Sequence, residues 1–176
     1  MAGLRHTFFV DASIDLDRGI VGIGIVMRAT EKPGHSPGPI ATEFSEAYLG
    51  IPPSAAEKFA IFRALEIAAG HSATCVKIRS DFNQMRTELK VDHGTAVGLD
   101  REDLHGSVLK SAVKFQEVKF SFVSRRKNQE AHRLARMAVR ECKPNQRPDI
   151  FSDVAPNTSF QRTLTRGGFG PLNSDR

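Results

Sequence analysis

The chain has 176 residues, 40% of them hydrophobic, with two cysteines and no tryptophan. That length suits one globular domain plus a tail; no apolar run approaches the ~20 residues of a membrane span, and Cys75 and Cys142 make neither a zinc pattern nor a disulfide framework and read as core thiols. The net charge of +5 is uneven, because eleven Lys and Arg against three acids lie between Lys110 and Arg147 and the remainder sums to −3, a pattern that points to a polyanionic partner or to a solvated basic helix.

In chain order, MAGLRHTFFVDAS breaks its apolar run at Asp11, too short for a signal-peptide core, and a cytoplasmic protein is expected. His6–Ser13, with Phe8, Phe9 and Val10 consecutive and β-prone, predicts a buried strand. Gly19–Arg28 (GIVGIGIVMR) and Ile40–Leu49 continue it as an antiparallel meander. Between them EKPGHSPGP, Glu31 to Pro39, is a loop by its Pro and Gly content. After Pro52 and Pro53 a helix spans Ala55–Ala69 and ends at Gly70. Thr74–Ser80 is a fourth strand. A short helix over Phe82–Leu89, a flexible VDHGTAVGLD stretch, a helix over Glu102–Phe115, a strand over Val118–Val123 and a helix over Gln129–Cys142 complete the order βββαβααβα. Residues 1–142 therefore form the domain, and 143–176, rich in Pro, Asn, Arg, Ser and Gly, a mobile tail.

A right-handed crossover returns the fourth strand parallel to the first, on the edge opposite the second, and sets Asp11 beside Asp81. Each acid has a plainer alternative. A carboxylate inside a central strand is costly unless paired or bound to a cation, yet Asp11 could simply begin a turn. Ser54-Ala-Ala-Glu57 matches a capping box, although Glu57 shares a helix face with Ile61, Ala64 and Ala68 and so points to the sheet. Asp81, or Ser80 before it, suits the cap of the next helix. If the three acids converge, their repulsion requires a divalent cation with oxygen ligands.

VDAS with Asp11, the helix AAEKFAIFRALEIA with Glu57, SDFNQM with Asp81 and RKNQEAHRLARMA in the last helix together resemble a ribonuclease H, in the shorter branch similar to plant and archaeal-type sequences. The resemblance covers Thr7 to Val139. It implies an α/β ribonuclease H-like fold, a five-stranded mixed sheet of three antiparallel strands and then parallel strands, flanked by helices. It also implies a metal-dependent endoribonuclease that cuts the RNA strand of RNA/DNA hybrids with two Mg²⁺ or Mn²⁺ ions, leaving 5′-phosphate and 3′-hydroxyl ends. Asp11, Glu57, Asp81 and His132 are its implied catalytic and metal residues. His132 stands where the family usually has aspartate; Asn128, one turn earlier, fits the N-x-x-A-[DH]-x-L-A pattern.

Imidazole in place of carboxylate removes a negative charge and favours Mn²⁺. Arg125, Arg126 and Lys127 occupy the loop where many bacterial relatives carry a histidine. Ser13, Ser54 and Asn83 are expected to face the hybrid's minor groove, with Arg125, Arg126, Lys127 and Asn128 as further nucleic-acid contacts. Arg133, Arg136 and Arg140 share one face of the last helix, for phosphates or merely for solvent. The tryptophan-bearing basic handle of some relatives is absent. His6, His35, His71, His93 and His105 lack ligand spacing and read as surface or loop residues. A monomer is expected. Two other readings stand beside the nuclease: a catalytically weak nucleic-acid binding module on the same fold, and a proofreading-type exonuclease, which Asp11-Ala12-Ser13 fits poorly because those enzymes carry D-x-E in the first strand.

Overall fold

The computed structural model describes residues 5–28, 40–85, 89, 91–92, 95–96 and 103–142. The loop at 31–39, His35, His93 and the expected tail over 143–176 lie outside them. Strands β1 (Arg5–Asp15), β2 (Ile20–Arg28) and β3 (Ile40–Leu49) open the chain. Helix α1 (Ala56–Gly70) leads into β4 (Cys75–Ser80), followed by helix α2 (Leu104–Ala112), strand β5 (Glu117–Phe122) and helix α3 (Gln129–Glu141). The strands form a five-stranded mixed sheet in the order β3-β2-β1-β4-β5. Pairing is antiparallel from β3 to β1 and parallel from β1 to β5.

Alternation along β1 divides the interior into two layers. Phe8 and Val10 enter a large cluster with Phe59, Ile61 and Leu65 of α1 and Val108 and Leu109 of α2. Phe9 enters a smaller one with Val26, Val123 and with Ala131 and Leu134 of α3. The buried residues of α3, namely Ala131, Leu134, Ala135 and Ala138, recur at helical spacing and form a narrow stripe of mostly small side chains. That stripe lets α3 lie very close to the sheet. A Cβ on Gly24 would meet the Ala131 carbonyl oxygen at 1.9 Å, and one on Gly22 the Ala135 carbonyl oxygen at 2.2 Å. Both glycines are therefore required by backbone-to-backbone packing.

Helix α1 is tied to the sheet through Glu46 of β3, which accepts hydrogen bonds from Arg63 Nε and Nη2, both at 3.0 Å. Tyr48 packs edge-on against Phe59 with ring centroids 4.9 Å apart. At the other end of α1, Gly70 does not lie past the helix as expected but is its last residue. The left-handed conformation falls to Ser72, with φ of 54°, after His71 has closed the last turn on the Ile67 and Ala68 carbonyls.

Several other expectations change in detail. Within Phe82–Leu89, Met85 donates its amide to the Phe82 carbonyl at 3.2 Å and Leu89 to the Met85 carbonyl at 3.0 Å; residues 86–88 lie outside the described set. The stretch expected to be flexible pairs Val91–Asp92 with Thr95–Ala96 in a two-residue antiparallel ladder. Asp103 caps α2, accepting the Gly106 amide at 2.9 Å, so the helix starts two residues later than expected. Cys75 and Cys142 are half-buried rather than core residues and are not joined in a disulfide. His6 opens the expected strand and His105 lies within the expected helix, both half-buried rather than on the surface, and His6 has a buried Nδ1 that finds no partner among the described residues. No described helix is long and apolar enough to cross a membrane.

The packing of α3 predicts opposite outcomes for two glycine-to-alanine substitutions. Gly24→Ala must push α3 off β2 and should lower stability by about 1–3 kcal/mol or more. Gly70→Ala, at a helix end where nothing lies within 4 Å of the new Cβ, should be neutral or stabilising by at most about 1 kcal/mol. Urea unfolding midpoints of the two variants check both; an unchanged midpoint for Gly24→Ala would contradict the close approach.

Candidate functional site

The parallel register of β1 and β4 pairs Val10 with Ser80, so the next residue on each strand is an aspartate and Asp11 lies beside Asp81. β4 ends there because fully buried Ser80 turns the chain. Its Oγ accepts the Phe82 amide at 3.0 Å, and its carbonyl accepts the Val123 amide at 2.9 Å. β1 continues for five more residues, Asp11 to Asp15, which pair with β2 alone among the described residues.

Glu57 reaches the same place from the first turn of α1. Ile61, Ala64 and Ala68, one, two and three turns on, are each 0% exposed, so that face lies against the sheet. The capping box read from Ser54 and Glu57 does not form, since no side-chain hydrogen bond caps either the short 3-10 turn Pro53–Ala55 or α1. One carboxylate oxygen each from Asp11, Glu57 and Asp81 lies within 4.8 Å of the others.

Three acids this close raise one another's cost of ionisation. Burial foremost pushes Asp11, only 3% exposed, up to about 6; the hydrogen bond to His132 opposes the rise and Asp81 adds to it. Burial and then the charges of Asp11 and Asp81 push Glu57 up to about 8, against a smaller pull from the Ala12 amide. Glu57 Oε2 is buried and has no hydrogen-bond partner among the described residues. An orphaned carboxylate oxygen facing two further carboxylates fits a hard divalent cation, which takes oxygen ligands. Asp11, Glu57 and Asp81 are thus the residues able to hold one.

His132 reaches Asp11 from the other face of the sheet but does not join the group of three acids. Its Nδ1 lies 2.7 Å from Asp11 Oδ2, because Asp11 shares the strand face of Phe9 and α3 is drawn in beside Gly24, the Cα partner of Asp11. Its Nε2 lies 3.2 Å from Arg125 Nη2. A guanidinium only donates, so a tautomer with the proton on Nδ1 satisfies both neighbours.

The remaining sequence candidates fall into different places. Ser13 lies on β1 two residues past Asp11. Ser54 and Asn83 are exposed, as are Arg125, Arg126 and Lys127, which form a 3-10 turn ahead of α3. Asn128 requires a correction, because it is 1% exposed rather than open to a nucleic acid. Its Nδ2 donates to the Val10 carbonyl at 2.8 Å and to Asp81 Oδ1 at 3.4 Å. It therefore braces the two strands that carry the aspartates. Ser80, already read as an alternative cap beside Asp81, shapes the turn. Three residues were missed. Gly22 and Gly24 seat α3, and their alternation in GIVGIGIVMR was the signal. Arg18 binds the β1–β2 turn to α3 through Val139 and left no sequence signal.

Residues 9–138 match the family model described as Reverse transcriptase-like. No curated protein matches the chain in sequence. Among solved structures, the ribonuclease H1 of the halophilic archaeon Halobacterium salinarum NRC-1 is 20% identical, with a TM-score of 0.63 over 78% of this chain and 99% of that one. The N-terminal ribonuclease H domain of rv2228c from Mycobacterium tuberculosis is 24% identical, with a TM-score of 0.59 over 78% and 94%. LC11-RNase H1, solved in complex with an RNA/DNA hybrid, is 21% identical, with a TM-score of 0.58 over 77% and 97%. These likenesses establish the fold.

Raised carboxyl pKa values carry a stability signature. Without ions the folded chain retains protons on Asp11 and Glu57 that the unfolded chain has released. Their contribution is therefore fully present below the ordinary carboxylate range and is lost as pH rises through about 6 and then about 8. In chelator, Tm should fall across this window more steeply for the wild type than for Asp11→Asn, and Mg²⁺ or Mn²⁺ should restore it most at the alkaline end. A Tm indifferent to both ions near pH 8 would exclude a cation site here.

Proposed function

The chain belongs to the Reverse transcriptase-like family and has the ribonuclease H fold, and from that premise we propose that it is a metal-dependent endoribonuclease acting on the RNA strand of RNA/DNA hybrids. The observation that supports this reading best is the meeting of Asp11, Glu57 and Asp81 within 4.8 Å, with His132 at 2.7 Å from Asp11. A structural cluster of acids would be neutralised by lysine or arginine. Here the side-chain nitrogens hydrogen-bonded to the acids are the His132 imidazole and the Asn128 amide, Arg125 acts on Glu57 only through its charge, and one buried carboxylate oxygen is left without a partner.

Asp11, Glu57 and Asp81 would hold two divalent ions, with His132 as the fourth contributor. When bound, such a pair supplies an activated water and charge stabilisation for the departing 3′ oxygen, which gives 5′-phosphate and 3′-hydroxyl ends. The protein's own share is positional. Asn128 holds Asp81 and the β1 backbone in one arrangement, as an outer partner that orients ligands. His132 keeps Asp11 aligned from the α3 side while leaving the cluster one negative charge short of a four-carboxylate site. Ser13 on the strand beyond Asp11, with Ser54 and Asn83, presents hydroxyl and amide groups suited to ribose 2′-hydroxyls. Arg125, Arg126 and Lys127 offer exposed positive charge to phosphates.

Cleavage of an end-labelled hybrid, beside single-stranded and duplex RNA, tests the reading. Hybrid should be cut in Mg²⁺ and in Mn²⁺. Asp81→Asn should lower the rate at least about a hundredfold with binding retained, whereas Asn128→Ala should weaken ion affinity by about 10- to 100-fold, the range for an outer partner. Binding without cleavage under either ion would instead identify a nucleic-acid binding module. Metal preference forms a separate test. The wild type should favour Mn²⁺ relative to Mg²⁺, and His132→Asp should shift the ratio toward Mg²⁺; equal or better wild-type turnover in Mg²⁺ at matched saturation would refute the role given to the imidazole.

A further inference from the structure

Past the acid cluster, the overhanging β1–β2 hairpin and the outer side of α3 enclose an open groove of about 790 Å³. Ser13 and His132 line its near end, and Arg18, Arg133, Arg136 and Arg140 its length; no carboxylate belongs to its lining. The four guanidinia are not equivalent. Arg18 is a strap, bound to Asp15 Oδ2 at 2.7 Å and to the Val139 carbonyl at 2.7 Å. Arg133 is held by Glu43 at 3.0 Å. Arg140 approaches exposed Glu141 only at 3.6 Å, and Arg136 has no hydrogen-bond or ion-pair partner among the described residues.

Arg136 and Arg140 are four residues apart on one helix face, a like-charge spacing whose repulsion costs an isolated helix stability. A bound polyanion removes that cost. From His132 to Arg140 the helix advances about 12 Å, so the positive track begins at the cluster and runs away from it. Met137 and Val139 add apolar surface between the charges. Those are the dimensions and chemistry of an extended phosphodiester strand with its sugars, not of a single small anion.

We propose that the strand cut at the acid cluster continues along this groove, its phosphates held by Arg136 and Arg140, so that efficient cleavage requires nucleotides on that side of the scissile bond. The inference rests on the nuclease reading above but adds a direction to it: substrates are gripped asymmetrically. Neither Arg18 nor the hairpin that closes the groove follows from the charge pattern of the last helix alone.

The test uses the full chain and the double variant Arg136→Gln/Arg140→Gln. Hybrid binding is measured by fluorescence anisotropy in chelator over a salt series, and hybrids are then trimmed stepwise on either side of a fixed cleavage position. Loss of two phosphate contacts should reduce the steepness of log K against log salt by about 2. Trimming on one side should weaken binding by the wild type, and the double variant should lose that one-sided dependence. An unchanged salt slope, or a variant as sensitive to one-sided trimming as the wild type, overturns the groove whatever the nuclease activity. Binding that obeys these expectations, with no cleavage once Mg²⁺ or Mn²⁺ replaces the chelator, overturns the nuclease reading and leaves the groove standing, and absence of both binding and cleavage overturns both.

Discussion

Backbone meets backbone where α3 crosses β2, and the candidate centre depends on that contact. Gly24 is the Cα partner of Asp11, and the space a side chain would take at Gly24 is filled by the carbonyl of Ala131. The residue after Ala131 is His132. One register pair therefore supplies the carboxylate on one strand and, on the other, the gap that lets an imidazole come within 2.7 Å of it. Any side chain at position 24 would separate them.

The two faces of the sheet do unequal work around this contact. The α1 and α2 side carries the larger cluster, including Phe8, Phe59, Ile61, Leu65 and Leu109, and supplies most of the apolar burial that offsets chain entropy. It can therefore carry Glu57 at its margin, a carboxyl held near 8 by burial and by its neighbours' charge. The α3 side is thin, its cluster formed by Phe9, Val26, Val123, Ala131 and Leu134. Its helix keeps alanine and leucine inward and arginine outward, which suits close seating and a charged exterior together. The groove proposed to hold a nucleic-acid strand lies on this thinner layer.

Much of this was legible before any coordinates. Handedness of the crossover alone put Asp11 beside Asp81, and the spacing of Glu57 with Ile61, Ala64 and Ala68 turned that acid toward the sheet against the competing capping motif. The pattern around Asn128 and His132 identified the helix but misjudged the asparagine, because a motif gives position without depth and Asn128 is spent on a strand carbonyl. Gly70 was misplaced for a related reason: glycine favours a left-handed ending, yet the last turn closed on His71 and the strained position passed to Ser72. Arg18 was out of reach, since its meaning lies in a contact with Val139 that spans 121 residues. The glycines of β2 were visible, but only the helix lying against them says what they are for.

Unequal strand length gives the centre its depth. β1 runs five residues beyond its last pairing with β4, and Asp81 sits at the step where the shorter strand gives out. The sheet thus acts as a gauge: a single residue inserted within Cys75–Ser80 would carry the following aspartate one notch along and turn its side chain to the opposite face. Evolutionary lengthening and shortening should accordingly be borne by the loops at the far end of the strands, while the interval between the start of β4 and Asp81 stays fixed.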